Sequence, residues 1–160
     1  MIRHAKSSWA DPGQADFDRP LDERGRKDGK RVARWLRASK EHPAFVCSSD
    51  AARARATAEF VRDGSDLPKT ALVFEHRIYE ATTTTLLDVV HGLPDNCPSA
   101  ALVGHNPGFT EFVNRMIGEA MIDSLPTLGI AILDLGVAFA DARFGCAQLV
   151  QLHSPKSLRK

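Results

Sequence analysis

No apolar run in this 160-residue chain approaches the roughly 18 residues that a membrane-spanning helix needs. The opening Met-Ile-Arg-His lacks the apolar stretch of a secretory signal, so a cytoplasmic protein with no membrane partner is expected. No Cys-x-x-Cys pair occurs, and the three cysteines (Cys47, Cys97, Cys146) are odd in number and far apart. That excludes a disulfide framework and a thiolate zinc site. Excess charge of one sign is missing too. Lys plus Arg total 21 against 20 for Asp plus Glu, which leaves no overall field to draw the chain to nucleic acid. Recognition of any anion must come from local placement of charge. No carboxylate cluster suited to a metal stands out, and no metal or cofactor is expected. There is no internal repeat, low-complexity tract or linker, so residues 1–160 read as a single domain. The sequence leaves the oligomeric state open.

What the chain does have is a rhythm of short apolar runs alternating with amphipathic stretches. Ala44 to Ser48, Ala71 to Phe74, Ser99 to Gly104, Gly129 to Val137 and Ala147 to Leu152 read as strands. Asp22 is placed to cap a helix from about Glu23 to Ser39, with Gly25, Gly29, Val32 and Leu36 on one face. Two glycines on that stripe allow close approach to a sheet. Ser49 or Asp50 is placed to cap a helix running to Arg62, stopped by Gly64. Thr82 to His91 reads as a third helix. A fourth has Asn106 as cap and Pro107 at its first position, with Phe109, Phe112, Val113, Met116 and Ile117 at helical spacing. The alternation predicts an α/β fold of three layers, α/β/α, around a mostly parallel sheet. In such a fold the site lies beyond the carboxyl ends of the strands.

Histidine and arginine recur at those ends: Arg3-His4, then Ser49-Asp50-Ala51-Ala52-Arg53, then Gly104-His105-Asn106-Pro107. Helix starts favour anions. A guanidinium is a rigid donor fork suited to phosphate oxygens. Two of each group at one sheet edge would make a pocket for a tetrahedral oxyanion. The remaining histidines (His42, His76, His91, His153) read as surface or loop residues, the basic run Arg24 to Arg31 as a solvated helix face, and Trp9 and Trp35 as packing anchors.

These segments also carry a resemblance. Arg3-His4-Ala5-Lys6-Ser7-Ser8-Trp9 resembles the Arg-His-Gly-Glu-Ser-x-Trp opening of the histidine phosphatase superfamily. Ser49 to Thr57 is similar to its Ser-x-x-x-Arg-Ala-x-x-Thr signature, and Gly104 to Pro107 to its late histidine motif. Asp18-Arg19-Pro20-Leu21 followed by Arg24-Gly25 resembles the compact SixA branch, the phosphohistidine phosphatases. The resemblance implies a metal-independent, two-step phosphatase. His4 takes the phosphoryl group and water then hydrolyses the phosphohistidine. Arg3, Arg53 and His105 hold the equatorial oxygens. His4 must be neutral on the attacking nitrogen, its other nitrogen donating to a backbone carbonyl. Glu80 is the positional candidate for proton donor to the leaving group, with Ser7, Arg19 and Asn106 as outer substrate contacts.

The chain departs from the pattern in three places of the opening motif, where Ala5, Lys6 and Ala10 replace the common glycine, glutamate and asparagine. These losses weaken a mutase-like sugar-phosphate transfer, and Lys6 widens the positive rim. The expected substrate is a phosphohistidine on a signalling or phosphotransfer protein. A small phosphate ester is the alternative within the same chemistry, and a phosphate-binding protein without turnover the alternative outside it. Finally, only Met1 and Ile2 precede Arg3, against about 5–6 residues in an ordinary strand. The resemblance puts this strand in mid-sheet, where shortness leaves neighbouring backbone groups unpaired. A mis-assigned start, or a fragment lacking several apolar residues, is therefore expected.

Overall fold

Six strands and four α-helices alternate along the chain in a computed structural model that describes residues 1–158. The strands are β1 (Ile2–Arg3), β2 (Phe45–Ser48), β3 (Leu72–Phe74), β4 (Ala100–Gly104), β5 (Ile130–Asp134) and β6 (Gln148–His153). The helices are α1 (Glu23–Ala38), α2 (Ala52–Gly64), α3 (Thr83–His91) and α4 (Gly108–Ile117). One sheet has the order β3-β2-β4-β1-β5-β6. Its first four strands are parallel, β5 runs antiparallel to β1, and β6 antiparallel to β5.

Period-two alternation divides the core. Val46, Ala101, Val103 and Ile130 face α1 and α2, packing with Val32, Leu36, Ala58 and Val61. Their neighbours Cys47, Leu102 and Ala131 face the other way, into Leu86, Val89, Phe109, Phe112 and Met116 of α3 and α4. The sheet is thus covered on both faces, the three-layer arrangement that the alternation of elements predicts.

Local chemistry sets two of the four helix starts. The Asp22 carboxylate accepts from Gly25 N at 2.7 Å, and the Thr82 hydroxyl from Thr85 N at 3.2 Å. At α2 the expected cap does not form. The cap position is Ala51, while Ser49 Oγ takes the Ala51 N–H and the Asp50 carboxylate meets His76. At α4 the first helical residue is Gly108, after a cis Asn106–Pro107 peptide. Asn106 is therefore not its cap, and its Oδ1 instead accepts from Thr110 Oγ1. Strand β5 ends at Asp134, short of the expected Val137, after a register shift between Ile132 and Leu133.

The short strand β1 lies in mid-sheet. Ile2 pairs with Val103 and with Ile130, and Arg3 with Gly104. The ladder continues past it, as His4 N donates to Gly104 O and Leu128 N to His4 O. Towards the chain start, a cavity of about 750 Å³ is lined by Met1, Trp35, Leu102, Phe112 and Ile132.

The two glycines of α1 are used otherwise than expected: they face other backbone and side chains, not the sheet. A Cβ at Gly25 would strike the Lys6 carbonyl oxygen, and one at Gly29 the Phe60 ring of α2. The first contact fixes the loop that follows His4. Gly25→Ala should therefore destabilise by about 1–3 kcal/mol in urea melts. Gly29→Ala should cost less, because a ring can turn aside where a backbone carbonyl cannot.

Candidate active site

At the carboxyl ends of β1, β2 and β4 the fold brings Arg3, His4, Arg53 and His105 into one cluster. His4 and His105 are each 8% exposed and Arg53 is 6% exposed. The two imidazoles lie 5.2 Å apart between ring centroids, tilted by 52°. His4 Nδ1 donates to the carbonyl of Ala5 at 2.7 Å, and its Nε2 accepts from Arg53 Nε at 3.2 Å. His105 Nε2 meets Ser49 Oγ at 2.7 Å. Arg3 Nη1 donates to Leu125 O at 2.9 Å. Two buried polar atoms of the cluster, Arg3 Nε and His105 Nδ1, have no partner among the described residues. Orphaned groups of this kind mark where a polar ligand belongs.

Electrostatics keep both imidazoles neutral. Burial pushes the His4 pKa down to about 4; the Ala5 contact works against this, and Arg53, Arg3 and Arg19 add to it. His105 is pushed down to about 3, first by burial and then by His4 and Arg53, with Asp16 opposing. Burial also lowers the Arg3 pKa.

The other candidates are placed differently. Ser7 Oγ accepts from Arg19 Nη2, and Arg19 also donates to Ser8 O and Asp16 Oδ1 while its guanidinium stacks 3.3 Å from the Trp9 ring centroid. These two residues bind loop to loop. Asn106 Nδ2 donates to Leu125 O at 2.9 Å, the same carbonyl that holds Arg3. Glu80 is exposed, makes no hydrogen bond among the described residues, and sits in the left-handed region at φ 53°. That conformation costs an ordinary residue about 1–2 kcal/mol. The following carbonyl, Ala81 O, lies 2.7 Å from where a Gly108 Cβ would stand, so this turn presses on the start of α4.

Two residues of the site, Asp16 and Tyr79, carry no flag in the sequence. Asp16 receives Arg53, Arg19 and Tyr79. The Tyr79 ring packs edge-on to His105 at 5.4 Å. Ser49 orients His105. Thr57, the last position of the Ser49 motif, accepts from Ala5 N and donates to Arg53 O, tying the His4 loop to α2. Among the described residues no group of three His, Cys, Asp or Glu side chains is placed to hold a metal, and no helix is long and apolar enough to cross a membrane.

This fold and cluster define a phosphatase class. The sequence pattern of the histidine phosphatase superfamily, branch 1, matches residues 1–83, and the chain belongs to that superfamily. An uncharacterized protein of Mycobacterium tuberculosis is 34% identical over 164 residues, covering 97% of this chain and 100% of its own. A crystal structure from Agrobacterium tumefaciens, assigned as the phosphohistidine phosphatase SixA, is 31% identical with a TM-score of 0.80, covering 96% of this chain and 95% of that one. A protein histidine phosphatase SixA complexed with tungstate superposes with a TM-score of 0.83 at 22% identity, covering 99% and 97%.

The neutral histidines make stability depend on pH. In the unfolded chain they take up protons near their ordinary 6.5, but in the folded protein only near about 4 and about 3. Stability is therefore expected to be full above pH 6.5 and to fall on acidification. Each histidine contributes a slope of up to about 1.4 kcal/mol per pH unit until its folded pKa is reached. Urea melts across that window should show the decline, and a His4→Gln, His105→Gln double variant should flatten it.

Proposed function

We propose that the protein hydrolyses phosphohistidine on a phosphotransfer or signalling protein, through a phosphohistidine formed on His4. The observation that carries this reading is the tautomer of His4. With Nδ1–H engaged by Ala5 O, the lone pair is on Nε2, inside a ring of Arg3, Arg53 and His105. Arg53 Nε–H rests on that lone pair. A phosphoryl oxygen is the stronger, charged acceptor; it takes this N–H and frees Nε2 for in-line attack. The N–P bond forms as the bond to the leaving group breaks, and water then cleaves the N–P bond, returning neutral His4 and phosphate. Ser49 Oγ already accepts the Ala51 N–H. Donating its hydrogen to His105 Nε2 puts the His105 proton on Nδ1, the orphaned atom, which then faces an equatorial oxygen.

The 31% identity to the Agrobacterium protein supports phosphohistidine as substrate. So does Trp9, 72% exposed beside Arg19, which leaves an indole face free at the rim for a protein surface. For alkyl esters the departing oxygen needs a proton, and Glu80, which follows Tyr79 in the chain, is the candidate donor.

Hydrolysis of p-nitrophenyl phosphate should persist in EDTA and vanish in His4→Ala. Survival of turnover in that variant would sink the mechanism. A phosphohistidine protein should exceed soluble esters in kcat/KM; the reverse order would favour a small-ester phosphatase. Glu80→Gln should slow alkyl phosphates by on the order of a hundredfold and a phosphohistidine substrate far less. Wild-type rates on alkyl esters would remove Glu80 from the reaction.

A further inference from the structure

Asp16 opens a short 3₁₀ turn, Asp16–Asp18, on the loop that crosses from the His4 strand to α1. Its carboxylate gathers donors from three parts of the chain. Oδ1 accepts from Arg19 Nη1 at 2.8 Å, while Oδ2 accepts from Arg53 Nη2 at 2.9 Å and from the Tyr79 hydroxyl at 2.8 Å. The Asp16 backbone carbonyl accepts from Arg53 Nη1. Carbonyl and carboxylate together therefore grip the outer fork of Arg53, the Nη1 and Nη2 pair. In a planar guanidinium the other edge is made by Nε and the second N–H of Nη2. That edge faces His4, since Nε donates to His4 Nε2 at 3.2 Å.

We propose that Asp16 is the positioning residue of this site. Anchored by Tyr79 and Arg19, it holds Arg53 by its outer fork and aims the inner fork at the phosphoryl group on His4. The assignment rests on the reading of His4 as nucleophile.

Three arguments support it. Arg53 and Arg19 have side chains only 7% and 8% exposed, and a buried cation needs a counter-charge. Asp16 is the acidic side chain that both of them reach. An arginine also has many rotamers, so fixing one edge of the guanidinium before substrate arrives removes the entropy of ordering it in the transition state. Lastly, Asp16 is not suited to proton donation. Although partial burial alone would raise its pKa, hydrogen bonds from Tyr79, Arg19 and Arg53 bring it down to about 2. It remains a carboxylate, an acceptor only.

The test couples Asp16 to Arg53. Asp16→Asn keeps the size but offers one acceptor oxygen where three donors converge. It should lower kcat on p-nitrophenyl phosphate by on the order of a hundredfold with KM within about threefold. On an Arg53→Ala background the same substitution should cost less than about twofold, because there is no fork left to aim. Asp16→Glu should recover part of the lost kcat. Tyr79 is the only tyrosine, so its ultraviolet titration reads the contact directly. Burial, then the Asp16 carboxylate, raises it to about 12, and it should fall towards its ordinary 10 in Asp16→Asn. Should that variant fold poorly, Tyr79→Phe removes one donor to Oδ2 and should give a severalfold kcat loss that also disappears without Arg53. Wild-type kcat in Asp16→Asn, or an equal loss with and without Arg53, would overturn the assignment. Turnover surviving in His4→Ala would instead overturn the nucleophile, and the two failures are separate because the Asp16–Arg53 coupling is measured with His4 intact.

Discussion

His4 keeps a free lone pair because two constraints act on one ring. Burial among guanidinium groups makes the imidazolium costly, and the Ala5 carbonyl holds the single remaining proton on Nδ1. Each constraint needs the other. Burial alone would leave the ring free to turn, and the carbonyl alone would not prevent a second proton from binding. The carbonyl is in turn held from both sides: the preceding amide, Ala5 N, donates to Thr57, and the next carbonyl, Lys6 O, abuts Gly25 of α1. A helix on one face of the sheet thereby sets the tautomer of a ring at its edge.

The arginines follow a shared design. Arg3 donates to Leu125 O, Arg53 to Asp16 O and Arg19 to Ser8 O, so backbone carbonyls hold one edge of each guanidinium. Carbonyls tether a cation without cancelling its charge. Among the described residues only Asp16 adds a full negative charge, and it does so on the side of Arg53 away from His4. The cluster stays cationic towards an entering anion while its members remain ordered.

Much of this was legible in the chain. The inward face of α1, Gly25, Gly29, Val32 and Leu36, is the one that its spacing predicts. The strand-end histidines and arginines meet because parallel strands bring their carboxyl ends to one edge. What escaped are contacts made across large sequence separation. Asp16 and Tyr79 are 63 positions apart and lie one or two residues outside recognisable motifs, so no local pattern pairs them. The reading of Ser49 or Asp50 as a cap failed for a related reason. Both side chains had distant partners, His105 and His76, that compete with the helix N-terminus. Asn106 fits this account: its Nδ2 is taken by Leu125 O and its Oδ1 by the Thr110 hydroxyl, in place of a backbone N–H at the start of α4.

The stacking of Arg19 on Trp9 gives the chain an optical property. The indole is 72% exposed and lies face to face with a guanidinium at 3.3 Å. That guanidinium is bonded to Asp16, which is bonded to Arg53. Two hydrogen-bonded contacts thus join Arg53, at the site, to an indole at the surface. Trp35, the other indole, packs against His153 with ring centroids 4.8 Å apart and planes tilted by 55°. A change at the site is therefore expected to register in the emission of Trp9, without any added label.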